Sequence, residues 1–383
     1  MFIVVSCGSK YKINNVDQKN AFYFWKSNWD LETKSIDLLD SLDVKVYYLK
    51  FFDVDWDSKN KEVIPIGRDY YHFASSIPLD RIEVIPTVYI SNDVLKNLNT
   101  DQLNGLAHNI YIKTRVIFSS FYSTSDAATS GPKQSGYGEG PYKMTYQDLT
   151  WPERDTSKNA HEAFKDLKEI QIDCDWTEST RDKYFEFLRA IKKEFKDKMI
   201  SCTIRMYPYK YPTKAGVPPV DKGMLMIYNV GDVTKAESGN SIFDKKEVTK
   251  YLNGKEKYPL ILDYAFPIFE WLSVYRNNKL IKILPTDAIY FWATDKRFTV
   301  YEKDNTVIKY KVNEEVEVYN MNFTLEKEDI IKYETINYDE VAEIAAKISS
   351  MNTNPKPNIT LFQFDYENVH KNKNKISKIY SNF

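Results

Sequence analysis

Eight short apolar or aromatic segments recur along this chain, most of them separated by stretches with helical spacing, and few folds accommodate that alternation. They lie at residues 21–25, 44–52, 83–90, 170–176, 200–207, 224–228, 259–266 and 359–364. Strands in this number with helical connections predict a (β/α)8 TIM barrel, and 383 residues suffice for one. The alternative, a doubly wound open sheet, usually has about five or six strands and a glycine-rich first turn, which this chain lacks. In a barrel, the polar clusters that close several segments fall on the carboxyl-end face, where barrel active sites sit. They include Asp53 to Asp57, Ser91 to Asp93 and Asp365 to Asn368.

Amphipathic helices are expected over 102–121, after Ser179 with Asp182 as a capping pattern, and over 338–351. Phe269, Trp271 and Tyr275 read as an aromatic helix after the seventh segment. Residues 285–335 then alternate as a β-rich insertion, with a hairpin around Lys303-Asp304-Asn305. Residues 122–159 read as a long polar loop. The domain reading is a tether over 1–20 and a barrel over 21–383.

The fourth segment carries the clearest chemistry. Alternation puts Asp173 and Asp175 on one strand face and Ile172 and Cys174 on the other. If the apolar face packs on helices, both carboxylates point into the barrel, where an unpartnered charge is costly. Arg205, on the neighbouring segment, is the expected counter-ion. Two like charges this close raise one pKa, which is how a general acid is made. A structural network holding the strands in register is the other reading of these residues.

Other chemistries are poorly served. Lys+Arg number 53 against 54 Asp+Glu, so no cationic excess is available for nucleic acid. No run approaches the ~18 apolar residues that a membrane-spanning helix needs. His72, His108, His161 and His370 show no metal-ligand spacing, and neither a nucleophile elbow nor a P-loop occurs, so no cofactor is expected. Aromatic residues reach 15%, and Trp25, Trp29, Trp56, Trp176 and Tyr207 fall near candidate loops, where rings suit the apolar faces of sugars.

The segment holding Asp173, Asp175 and Trp176 resembles the strand-four signature of the family-18 chitinase-like glycoside hydrolases, Asp-Gly-x-Asp-x-Asp-Trp-Glu. Met226-Ile227-Tyr228-Asn229 resembles that family's Met-x-Tyr-Asp on strand six. The resemblance implies a carbohydrate substrate, with Asp175 orienting an acetamido group or steering the acid, and Tyr228 bonding the reacting sugar. Asn229 stands beside it. The sequence departs from the signature at Ile170 for the first Asp, Gln171 for the Gly and Thr177 for the catalytic Glu. The proton donor is therefore open among Glu178, one residue late, Asp263, Asp365 and Glu367. Two functions are expected: a glycoside hydrolase acting on a polysaccharide or glycoconjugate, or a glycan-binding or scaffolding protein that kept the barrel and lost the acid.

Val4-Val5-Ser6-Cys7 resembles a lipobox, although the basic part and most of the apolar part of a signal peptide are missing ahead of it. It implies a bacterial cell-envelope lipoprotein anchored through an acylated Cys7. A short strand at residues 1–6 is the other reading. Cys174 and Cys202 are expected to be core thiols.

Overall fold

The structure is a computed structural model that describes residues 17–25, 33–67, 78–120, 142–143, 164–253, 257–288, 296–318 and 321–383. Parallel strands close into a barrel: β1 (Lys19–Phe24), β2 (Val44–Asp57), β3 (Glu83–Ile90), β4 (Glu169–Asp173), β5 (Met199–Arg205), β6 (Lys222–Met226), β7 (Ile261–Pro267) and β8 (Asn358–Phe362). Each pairs with its sequence neighbours, and β1 pairs with both β8 and β2, so the ring closes. Helices that include Thr33–Asp40, Thr100–Ser120, Arg181–Glu194, Lys245–Leu252 and Tyr338–Met351 join the strands. The expected TIM barrel is the observed fold.

Alternation along each strand decides what faces where. Ile170 and Ile172 of β4, Cys202 and Ile204 of β5 and Leu361 of β8 join the main apolar core. Tyr184, Phe187, Leu188 and Ile191, at helical spacing on Arg181–Glu194, are buried in the same core. The opposite strand faces point inward, and the register sorts them into layers drawn from alternate strands. Glu169, Lys222 and Asn358 lie at the amino end, with Ser201 and Asp263 next. Tyr48, Gln171, Met224 and Thr360 follow, then Tyr23, Thr87, Thr203 and Ala265. Asp173, Lys50, Met226 and Phe362 form the carboxyl end.

Several expectations need correction. Residues Trp271–Arg276 form a strand, not an aromatic helix: Leu272 and Val274 alternate with Trp271, Ser273 and Tyr275, and a period of two suits a sheet. This strand lies inside a five-stranded antiparallel sheet, so the insertion between β7 and β8 begins near 271 rather than 285. The hairpin of Phe298–Lys303 and Val307–Val312 forms as expected, with Asp304 accepting from the Thr306 and Val307 amides. β2 runs on through Asp57 and folds back as Glu62–Gly67, so Asp53 to Asp57 are strand and not loop. The helix at 181 is preceded by Thr180, not Ser179. Thr180 holds the N-cap position but turns its hydroxyl to Asn92, and Asp182 pairs with Arg181.

Cys7 and Trp29 fall outside the described residues, as does the 122–159 loop apart from Tyr142–Lys143, which pairs with Glu62–Gly67. Cys174 and Cys202 are buried free thiols. No helix among the described residues is long and apolar enough to cross a membrane.

Candidate functional site at the carboxyl end of the barrel

At the end of β4 the strand pattern places Glu169, Gln171 and Asp173 toward the barrel axis, and the chain then leaves the sheet through Cys174 and Asp175. Asp173 is 9% exposed and accepts a hydrogen bond from Thr203 on β5. Burial first, and then the Asp175 charge, push its carboxyl up to about 7, against the pull of the Thr203 bond. Asp175 is half-exposed, with Oδ1 3.2 Å from the Arg205 Nε. Arg205 also donates to the Trp176 carbonyl at 3.1 Å, which ties the end of β5 to the turn after β4. The anticipated counter-ion is in place, and it meets the outer carboxylate directly.

Lys50, and Asp53, which the sequence offers only as the start of a carboxyl-end polar cluster, complete the mouth. A register shift between Lys50 and Phe52 of β2 reverses the faces of the residues beyond it and brings Asp53 to the side that Lys50 occupies. The Lys50 Nζ lies 2.8 Å from the Asp53 Oδ2 and 5.3 Å from the centre of the Trp25 ring. Burial raises the Asp53 carboxyl with Lys50 opposing, and its Oδ1 has no hydrogen-bond partner among the described residues. Unbroken alternation would turn Asp53 outward, so only the bulge reveals it.

Rings make the other wall. Tyr228 is buried, stacked on Phe362 at 5.2 Å between ring centres and set edge-on to Phe269 at 5.9 Å. Burial, then Asp173 and Asp175, hold its hydroxyl well above the usual phenol range. Trp25 lies 5.7 Å from Phe362, and Trp25, Phe269 and Phe362 are each only half-buried. Sequence reasoning does not pick out Phe269 or Phe362 for the site; the signal available is their place at or just past a strand's carboxyl end.

The other candidates divide. Trp176 is 2% exposed and stacked on Tyr184 at 5.2 Å, which places its ring in the core rather than at the mouth. Trp56 packs against the outer apolar core, because alternation turns it away from Asp55. Asp263 lies fully buried near the amino end of β7, paired with Lys222 at 2.6 Å, far along the axis from the mouth. Asp365 caps the helix Tyr366–Lys371, accepting from the Asn368 amide, and Glu367 is exposed in that helix's first turn. Glu178 is exposed on the turn after Trp176, and Thr177 beside it engages its hydroxyl with Ser179 and Thr180. Tyr207 is exposed on the short helix Met206–Lys210, its ring 5.0 Å from that of Tyr211. Asn229 is exposed with a positive φ of 53°, its amide held by the Ile242 carbonyl. The structure therefore gathers Asp173, Asp175, Arg205, Tyr228 and Trp25, and disperses the rest. No cluster of metal-ligating side chains occurs among the described residues.

No known family's sequence model matches this chain. No curated protein sequence matches it either. Among solved structures, a chitinase from Chromobacterium violaceum is 10% identical with a TM-score of 0.49, covering 95% of this chain and 99% of its own. The Bacillus cereus spore cortex-lytic enzyme SleL is 13% identical with a TM-score of 0.46, covering 96% of this chain and 75% of its own. The catalytic domain of a psychrophilic chitinase B from Arthrobacter is 10% identical, also at 0.46, covering 96% and 97%. At that level of similarity they assign no residue a role.

Proposed function

We propose that the carboxyl-end mouth of this barrel binds a polysaccharide or glycoconjugate and cleaves it by carboxylate acid/base catalysis. The observation that carries the reading is the acid pair beside half-buried rings: Asp173 beneath Asp175, with Trp25, Phe269 and Phe362 across the opening. Rings of this kind suit the apolar faces of sugars, while Asp175, Arg205 and Lys50 suit hydroxyls. An acid whose pKa lies near neutrality both holds a proton and releases it at ordinary pH, and a positioned acid of this kind contributes about 10²- to 10⁴-fold in rate. Asp175 is the group that meets the sugar, Asp173 the one that keeps the proton, and Tyr228 borders both.

A second reading, glycan binding without turnover, is favoured by Thr177, which stands where the family resemblance puts a glutamate and is engaged in its own turn. A glycan array and a reducing-sugar assay of the wild type beside Asp175→Asn separate the two. Sugar release by the wild type with at least a ~100-fold loss in the variant supports hydrolysis. Binding without release supports the second reading. Equal activity in the variant puts the chemistry elsewhere. The lipobox-like Val4-Val5-Ser6-Cys7 supports a cell-envelope lipoprotein as the setting, and a mass increment of acyl chains on Cys7 in protein from its own cell tests it.

A further inference from the structure

Between the mouth and the amino end, the barrel interior mixes polar and small side chains with its rings, where barrels commonly carry bulky branched residues. Gln171 and Thr360 share one layer, and Thr87, Thr203 and the small Ala265 the next. Gln171, Thr87 and Thr360 are fully buried, yet Gln171 Nε2, Thr87 Oγ1 and Thr360 Oγ1 have no hydrogen-bond partner among the described residues. Tyr23 takes up the Gln171 carbonyl oxygen, so whichever way the amide is turned one of its atoms is left over. Such buried groups are rarely left unpaired, and a polar interior with several converging groups is where proteins hold internal water.

Polar groups are continuous above and below this level. Thr203 donates upward to Asp173. At the base, Glu169 accepts from Ser201 at 2.6 Å and from Lys222 at 2.8 Å, and Lys222 reaches Asp263. Tyr48 donates to Asp263 at 3.2 Å and accepts from Asn358 at 2.8 Å.

We propose that the barrel encloses ordered water held by Gln171, Thr87 and Thr360, which completes a hydrogen-bonded column from Asp173 at the mouth to Glu169, Lys222 and Asp263 at the base. The ligand of this internal site is water alone. The column ends on the acid of the proposed reaction and so bears on that reading, but its existence does not depend on turnover.

Two measurements on the intact chain test it. In a high-resolution crystal structure of the wild type, water is expected within hydrogen-bond distance of Gln171 Nε2 and of the Thr87 or Thr360 hydroxyl; a dry interior overturns the proposal. Thr87→Val and Thr360→Val keep the shape and remove one hydroxyl each. If those hydroxyls hold water, each variant unfolds about 1 to 3 °C lower. If they are bare, replacing an unsatisfied buried hydroxyl by a methyl raises the midpoint, and the column does not exist. Neither readout uses a glycan, so failure here leaves the hydrolase reading standing, and failure of that reading leaves the column standing.

Discussion

The two ends of the barrel interior use the same residue types to opposite effect. At the base, Lys222 sits between Glu169 and Asp263 at 2.8 and 2.6 Å, and Ser201, Tyr48, Asn354 and the Asn358 amide donate further bonds to the two carboxylates. Burial alone would lower the Lys222 ammonium, but its two acids more than offset this and raise it, while burial leaves Glu169 raised despite Lys222. At the mouth, Asp53, Asp173 and Asp175 face Lys50 and Arg205, and the bonding stays incomplete. Asp53 keeps an oxygen without a partner among the described residues, Asp173 relies on one threonine, and Asp175 shares a half-exposed arginine with backbone carbonyls. A closed charge network holds strands together; an open one is available to a ligand. The contrast is an electrostatic argument, independent of the rings, in favour of the proposed site at the carboxyl end.

Breaking the base is expected to do the most damage. Lys222→Met strands two buried carboxylates and should cost about 5 kcal/mol in urea unfolding at pH 7, the top of the range for a buried charge left without its partner. The mouth should instead show itself through pH. Because the Asp173 carboxyl is raised in the folded protein to about 7, the stability it contributes is fully present below the ordinary carboxylate range and is lost as pH rises through 7. Glu169, raised as well, acts in the same direction, so the wild type must be compared with Asp173→Asn. The difference between them should change by an amount on the order of 4 kcal/mol between about pH 4 and 7.5, with the variant gaining at the higher pH.

Smaller effects sharpen the division of the other carboxylates. Asp365→Ala removes a helix cap and should cost about 1 kcal/mol in the same unfolding measurement, with sugar handling unchanged. Asp175→Asn breaks an exposed pair worth less than about 1 kcal/mol and also relieves Asp173 of a like charge, so at pH 7 its unfolding should show no net loss beyond that amount, although the proposed chemistry depends on it.

The sequence made the barrel readable because strand alternation and helix spacing are local. Ile170 and Ile172 against Gln171 and Asp173 define the faces of β4, and the spacing of the helix Tyr338–Met351 is equally local. Trp271 to Tyr275 mislead because so short an aromatic run can be read at either period; its alternation is that of a strand, and pairing with Ile330–Glu334 bears this out. Asp53 is hidden by a bulge, which changes faces without any sign in composition. The base network is out of reach for another reason. Glu169, Lys222 and Asp263 are far apart in the chain, and closure of the ring alone makes them neighbours, which is why Asp263 reads as a candidate for the mouth.

The most direct test is a site-resolved titration of the Asp173 carboxyl by carbon-13 NMR in the wild type and in Asp175→Asn. An open mouth with a proton-holding acid predicts a wild-type midpoint of about 7, moving down toward the ordinary carboxylate range once the Asp175 charge is gone. A wild-type midpoint near the ordinary aspartate value of about 4, or one indifferent to the Asp175 substitution, would contradict the account.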